Sequence, residues 1–150
     1  MAEINHVVAR FKDGRVLKGT TGDFYPNRPF FHVQAGEGAD AMAVKCEHLK
    51  AVFFVKDLEG NPLYDERPEF LHSPDQGVKG KKVAIRFQDG EVVFGYTMAY
   101  APNRPGFFVT PADPHSNNQR IFVVTSATAE IMVGEAADRI VQRTLAASMR

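Results

Sequence analysis

At 150 residues and 44% hydrophobic content the chain is long enough to bury a core and too apolar to stay disordered. Its 18 basic side chains balance 18 acidic ones, so no bulk charge draws it toward nucleic acid, an anionic membrane or a basic partner. Residues 1–75 carry 9 basic and 12 acidic side chains and residues 76–150 carry 9 and 6, so the two halves have weakly opposed charge.

The N-terminal MAEINHVVARF lacks the basic start, apolar stretch and small-residue cleavage site of a secretory leader. No apolar run approaches the ~18 residues of a membrane span. Both features predict a cytoplasmic protein with no membrane partner. The single cysteine, Cys46, excludes an intrachain disulfide and is expected to be a packing residue in a reducing compartment.

Shifting the chain on itself by 76 residues lays FKDGRVLKGTTGDFYPNRP (11–29) over FQDGEVVFGYTMAYAPNRP (87–105), with 10 of 19 positions identical. Roughly one match is expected by chance, so the chain is an internal duplication. The register continues through FFHV (30–33) over GFFV (106–109). After a three-residue insertion, AVKCEHLKAVFFV (43–55) lies over FVVTSATAEIMVG (122–134). The copies span roughly residues 6–56 and 82–133.

In chain order, Val7, Ala9 and Phe11 alternate with Val8, Arg10 and Lys12, as Val83, Ile85 and Phe87 do with Ala84, Arg86 and Gln88, which is the pattern of a half-buried strand. Asp13-Gly14 and Asp89-Gly90 then predict type I′ hairpin turns into second strands carrying Val16 and Leu17, or Val92 and Val93. Gly19 and Gly95 interrupt these strands and predict a bulge or bend. The PNRP segments (26–29 and 102–105) break the pattern. Three more strands are expected near 30–35, 40–46 and 51–56, with counterparts near 106–110, 119–125 and 129–133. Residues 57–81 form a Pro-, Gly- and charge-rich connector, with Tyr64, Phe70 and Leu71 as expected anchors. After Gly134, Ala137, Ile140, Val141, Thr144, Leu145 and Ser148 recur at helical spacing opposite Arg139 and Arg143, predicting an amphipathic helix over 134–150 that docks on the β structure.

A strand, an Asp-Gly turn, a glycine-bent strand, a polar loop, a further strand and then VKCEHLKAVFF resemble the Sm-like small β-barrel. The resemblance implies two tandem five-stranded Sm-like or SH3-like barrels, residues 1–56 and 82–133. It further implies assembly through the edges of the last two strands, so that one chain could fill two positions of a ring. RNA binding would fall to two loops per copy: Tyr25 to Arg28 and Lys45 to His48 in the first, Tyr100 to Arg104 and Val124 to Ala127 in the second. The sequence departs from the Sm pattern where the first loop lacks Asp followed by Met-Asn, and where Lys45-Cys46 and Val124-Thr125 stand for Arg-Gly. The DGR…PN…LKAVFFV pattern also resembles uncharacterised bacterial proteins, which implies no activity. A PilZ barrel is a poorer match, since its arginine pair and Asp-x-Ser-x-x-Gly segment are missing.

Chemistry is sparse. His6, His32, His48, His72 and His115 are scattered and none recurs between copies, so no metal site is expected. Gly36 to Ala41 fits a loose dinucleotide pattern but precedes a strand, and Gly77 to Lys82 has the wrong spacing for a phosphate loop. No nucleophile-base spacing stands out, and neither a catalytic residue nor a cofactor is predicted. The shared candidates are Asn27, Arg28, Asn103 and Arg104 of the PNRP segments, with Tyr25 and Tyr100 beside them. Two prolines could hold each arginine stiffly for an anionic or aromatic group, and the same residues also suit a plain turn. The expected role is a non-catalytic cytoplasmic binding or adaptor module whose partner is a protein, another chain or a second copy. RNA binding at Arg28, Arg104 and the neighbouring aromatics is the alternative.

Overall fold

The computed structural model describes residues 4–36, 38–56, 80–98, 100–101, 103–112 and 117–148. The first copy supplies β1 (Asn5–Phe11), β2 (Val16–Thr21), β3 (Phe30–Gln34), β4 (Ala41–Lys45) and β5 (Leu49–Val55). The second supplies β6 (Lys81–Phe87), β7 (Val92–Thr97), β8 (Gly106–Pro111), β9 (Asn118–Val124) and β10 (Thr128–Val133), followed by helix α1 (Glu135–Ser148). Short 3-10 turns, Cys46–His48 and Thr125–Ala127, join the last two strands of each copy, so β5 starts two residues earlier than its sequence pattern suggested. The connector, with Tyr64, Phe70 and Leu71, lies outside the described residues apart from Gly80 and Lys81 at its end.

All ten strands form one antiparallel sheet in the order β10-β6-β7-β8-β9-β5-β1-β2-β3-β4. Each copy contributes five neighbouring strands in the same internal order, and the copies are joined where β5 pairs with β9, Ala51 opposite Val123 and Phe53 opposite Ile121. The junction explains why LKAVFFV does not alternate: all seven residues of β5 are buried. Leu49, Val52 and Phe54 face a first core with Val7, Ala9, Phe31, Val33, Val44 and, from the second copy, Phe122 and Val124. Ala51, Phe53 and Val55 face a second core with Val83, Ile85, Phe87, Phe107, Val109, Ile121 and Val123. Val8, expected on the solvent side of β1, is buried because it belongs to this second core.

The hairpin turns differ from the predicted type I′. Among the described residues none other than glycine has positive φ, while Gly14 and Gly90 both sit at +95°. Type I′ would put Asp13 and Asp89 there as well. Instead the Gly14 N–H donates to the Phe11 carbonyl (3.1 Å) and the Phe11 N–H to the Arg15 carbonyl (2.9 Å), which makes a three-residue loop closed by a left-handed glycine. The second copy repeats this geometry at Phe87, Gly90 and Glu91. Gly19 and Gly95 serve close approach: a Cβ on Gly19 would strike the Gln34 carbonyl, and one on Gly95 the Thr110 carbonyl and the Val109 side chain.

Helix α1 buries Ala137 and Ile140 against Ala84, with Val92, Phe94 and Met132 packed around them. Arg143 donates to Glu130 at 2.8 Å and Lys82 lies 3.5 Å from Asp138. The helix therefore docks on β6 and β10 of the second copy. Lys50 adds a lock across the junction. It sits at the bulge between β1 and β5, nearly buried, with Nζ 2.7 Å from Asp89, in contact with Glu91 and over the Phe87 ring. The Lys50 ammonium, aided by the Glu91 N–H, holds the Asp89 carboxyl below its ordinary value.

Two outcomes follow from the packing. Gly95→Ala should cost about 1–3 kcal/mol through overpacking, seen as a lower midpoint in urea, whereas Gly36→Ala, which meets nothing within 4 Å, should not. Lys50→Met should cost roughly 1 kcal/mol near pH 7, because both carboxylates remain half solvated and screened. A depressed folded pKa stabilises above the unfolded value of 3.8 and loses that contribution as pH falls through the folded value. The gap between wild type and Lys50→Met should therefore narrow as pH falls below about 4, and a gap that does not narrow in acid would show that Lys50 acts by packing alone.

Candidate functional site

Antiparallel pairing puts the start of β5 beside the end of β9, so the 3-10 turn that precedes β5 and the one that follows β9 lie at the same end of the junction. Each turn is tied to its own PNRP segment. The Cys46 N–H donates to the Pro29 carbonyl at 2.9 Å, and the Thr125 N–H to the Pro105 carbonyl at 3.0 Å. Side chains repeat the link: the Cys46 thiol lies 3.7 Å from the Arg28 carbonyl, and the Thr125 hydroxyl donates to the Arg104 carbonyl at 3.1 Å. Each PNRP segment closes its own tight turn, Arg28 N–H to Tyr25 carbonyl and Arg104 N–H to Ala101 carbonyl, both 3.1 Å.

Two loops 76 residues apart thus face one another across a single groove of about 830 Å³. Asn27, Arg28, Pro29 and Phe30 line one side with Lys45, Cys46 and Glu47, while Asn103, Arg104, Pro105, Thr125 and Ser126 line the other. Phe122 and Val124 supply an apolar floor. The polar lining is one-signed except for Glu47, whose carboxylate lies 3.8 Å from His48. Burial pushes the Cys46 thiol above its ordinary pKa.

Of the six residues singled out from sequence, Asn27, Arg28, Asn103 and Arg104 meet in the groove, and the two tyrosines do not line it. Tyr25 is exposed with the Arg28 guanidinium 4.6 Å from its ring centroid. Tyr100 packs edge-on against buried Phe107 at 5.0 Å. The shared PNRP motif could not reveal Phe30, Glu47, Phe122 or Ser126. The readable signal for this second half was register: Cys46 and Thr125 are small polar residues at matching positions.

A second polar cluster, unforeseen from sequence, belongs to the first copy. His32 Nδ1 lies 2.7 Å from Asp23, whose other carboxylate oxygen accepts from the His32 N–H (2.9 Å) and the Thr21 hydroxyl (3.2 Å). Burial opposes ionisation of Asp23, but these donors together hold its carboxyl below the usual value. The second copy has Ala99 and Phe108 at the matching positions. Among the described residues no group of three His, Cys, Asp or Glu could hold a metal ion, and no helix is long and apolar enough to cross a membrane. His72 and His115 lie outside the described residues. Ahead of β4 the Ala39 N–H donates to the Gly36 carbonyl at 3.0 Å, and Ala41 already belongs to that strand.

A family model described as a family of unknown function, DUF6982, matches residues 3–134. The chain belongs to this family. The DUF6982 match takes in both copies and both PNRP turns and stops before α1. Neither a curated protein nor a solved structure matches the chain.

The raised pKa of Cys46 gives the site a measurable property. Thiolate is the species that alkylates, so in the native protein Cys46 should react with iodoacetamide more slowly than in the urea-unfolded chain, with its pH-rate midpoint displaced upward. Equal midpoints in the two states would contradict a half-buried thiol in the groove wall.

Proposed function

We propose that the chain is a non-catalytic cytoplasmic binding or adaptor module, two Sm-like five-stranded barrel units fused through one strand pairing, that holds a segment of a protein partner between its PNRP turns. The observation that carries this reading is the convergence of both turns on one groove with an apolar floor and few polar groups. Ligand sites have this composition, and this one is of the usual volume.

Single-stranded RNA is the weaker reading because its sites need free aromatic faces beside their cations. Near the turns those faces are largely occupied. Phe24 meets Phe31, Phe54, Phe108 and Phe122 edge to face, Arg120 lies over Phe108, Tyr100 packs on Phe107 and Arg28 takes one face of Tyr25. Phe30 stays half exposed at the groove.

Panning a random peptide library on the full chain should yield binders whose amide-shift perturbations gather on residues 27–30, 45–47, 103–105 and 124–126. Labelled oligouridylate should bind weakly and without dependence on Arg28 or Arg104. RNA affinity that falls steeply with salt and disappears in the Arg28→Ala/Arg104→Ala double variant would replace this reading with the RNA one.

A further inference from the structure

Building on the groove reading, we infer that the segment it accepts is acidic and apolar: a short extended peptide in which Asp or Glu flanks a Leu, Ile or Phe side chain. Three cations, Arg28, Lys45 and Arg104, line the groove against one carboxylate, Glu47. Among the described residues the ion pairs of arginine and lysine engage Arg15, Lys50, Lys82, Arg86 and Arg143, and none engages the three groove cations. Three of one sign thus line the two sides of the groove with a single carboxylate, Glu47, among them.

The geometry favours carboxylates. The Arg28 guanidinium lies over the Tyr25 ring, 4.6 Å from its centroid, and among the described residues no side-chain hydrogen bond or ion pair takes up its fork of donors, which suits a bidentate acceptor. Arg104 stands in the matching turn of the other copy, so a ligand that reaches both arginines must cross the floor between them. That floor is Phe122 and Val124, with Phe30 on the wall, which has nothing to offer a polar group and would leave it unpaired. A segment charged at both ends and apolar in the middle satisfies every surface of the groove. Proline-stiffened turns anchored by the Cys46 and Thr125 hydrogen bonds present the arginines with little ordering cost. A basic segment would meet three like charges, and a neutral one would leave them unused.

Cys46, the single cysteine of the chain and part of the groove lining, reports occupancy directly. Alkylation of native protein by a maleimide dye would be followed with a degenerate peptide pool in which Asp or Glu flanks Leu, Ile or Phe, with the matching Asn/Gln and Lys pools, and with oligouridylate. The acidic pool should slow alkylation about tenfold near saturation, and the Asn/Gln and Lys pools should not. Arg28→Gln with Arg104→Gln should weaken the acidic pool by at least about tenfold with an unchanged melting temperature, since both side chains are exposed in turns. Phe30→Ser should weaken it independently. If neutral or lysine peptides protect Cys46 as well as acidic ones, the acidic specification is wrong while the groove reading stands. If no peptide pool protects Cys46 and random-library binders map elsewhere, the groove reading itself fails. Protection by oligouridylate alone overturns both.

Discussion

Strand β5 is buried along both faces, and the rest of the molecule is arranged around that fact. An antiparallel strand usually has one dry and one wet face, and a continuous apolar run marks a strand covered on both sides. In LKAVFFV the two faces serve different cores: Leu49, Val52 and Phe54 the first, Ala51, Phe53 and Val55 the second. β9 returns the exchange, sending Phe122 and Val124 into the first core while Ile121 and Val123 stay in the second. Each copy therefore completes the other's interior. Splitting the chain between copies would expose apolar side chains on both pieces, so the two repeats fold as one cooperative body rather than as beads on a string.

The sheet has two ends, and strand registers show how each is finished. Pairing of β1 with β5 and of β6 with β10 makes Ala51 equivalent to Glu130 and Phe53 equivalent to Met132. On the first copy that face is covered by the core of the second; on the second copy α1 covers it, with Met132 packed against the helix and Glu130 paired to Arg143. The helix thus stands where a further repeat would stand, as capping elements do in repeat proteins. At the opposite end, β3–β4 and β8–β9 pairing makes Ala43, Lys45 and His32 equivalent to Phe122, Val124 and Phe108. The apolar residues that build the junction are replaced there by small and polar ones, and His32 is engaged by Asp23. On the edge strand β4 itself Lys45 is the one charged residue, and a lysine on an edge discourages further pairing.

What could be read from the sequence was whatever local chemistry dictates. Ten strands, two Asp-Gly turns and the final helix followed from alternation, turn residues and helical spacing. The turn type was not legible, because Asp-Gly serves both a two-residue I′ loop and a three-residue loop in which only the glycine is left-handed. Nor could Val8 be placed. Its solvent-facing assignment assumed a one-sided sheet, and its burial depends on a core contributed from beyond residue 80. The PNRP turns were found because identity between copies singled them out. Glu47 and Ser126 fall in the second pair of loops that the Sm-like resemblance pointed to, whereas Phe122 was missed since its counterpart, Ala43, differs in kind, and a comparison of copies sees only what both retain. Tyr25 and Tyr100 were placed beside the motif correctly in sequence, yet the chain turns Tyr100 onto Phe107 before the loop begins.

The groove is a property of the pairing rather than of either repeat. A lone copy would present one PNRP turn, one 3-10 turn and whatever solvent lay beside them. Antiparallel β5–β9 pairing places a second set opposite, and the floor between them is the stretch of β9 that the first copy needs for its own core. Divergence then made the two walls unequal. Lys45 contributes charge where its counterpart Val124 contributes apolar surface, and Glu47 stands where the other wall has Ser126. A symmetric groove would read the same ligand in either direction; here one wall carries Arg28, Lys45 and Glu47 while the other carries Arg104 as its single charge, so the two directions of an extended chain are not equivalent. Orientation of that kind is what duplication followed by divergence can add to a groove that a single five-stranded repeat cannot enclose.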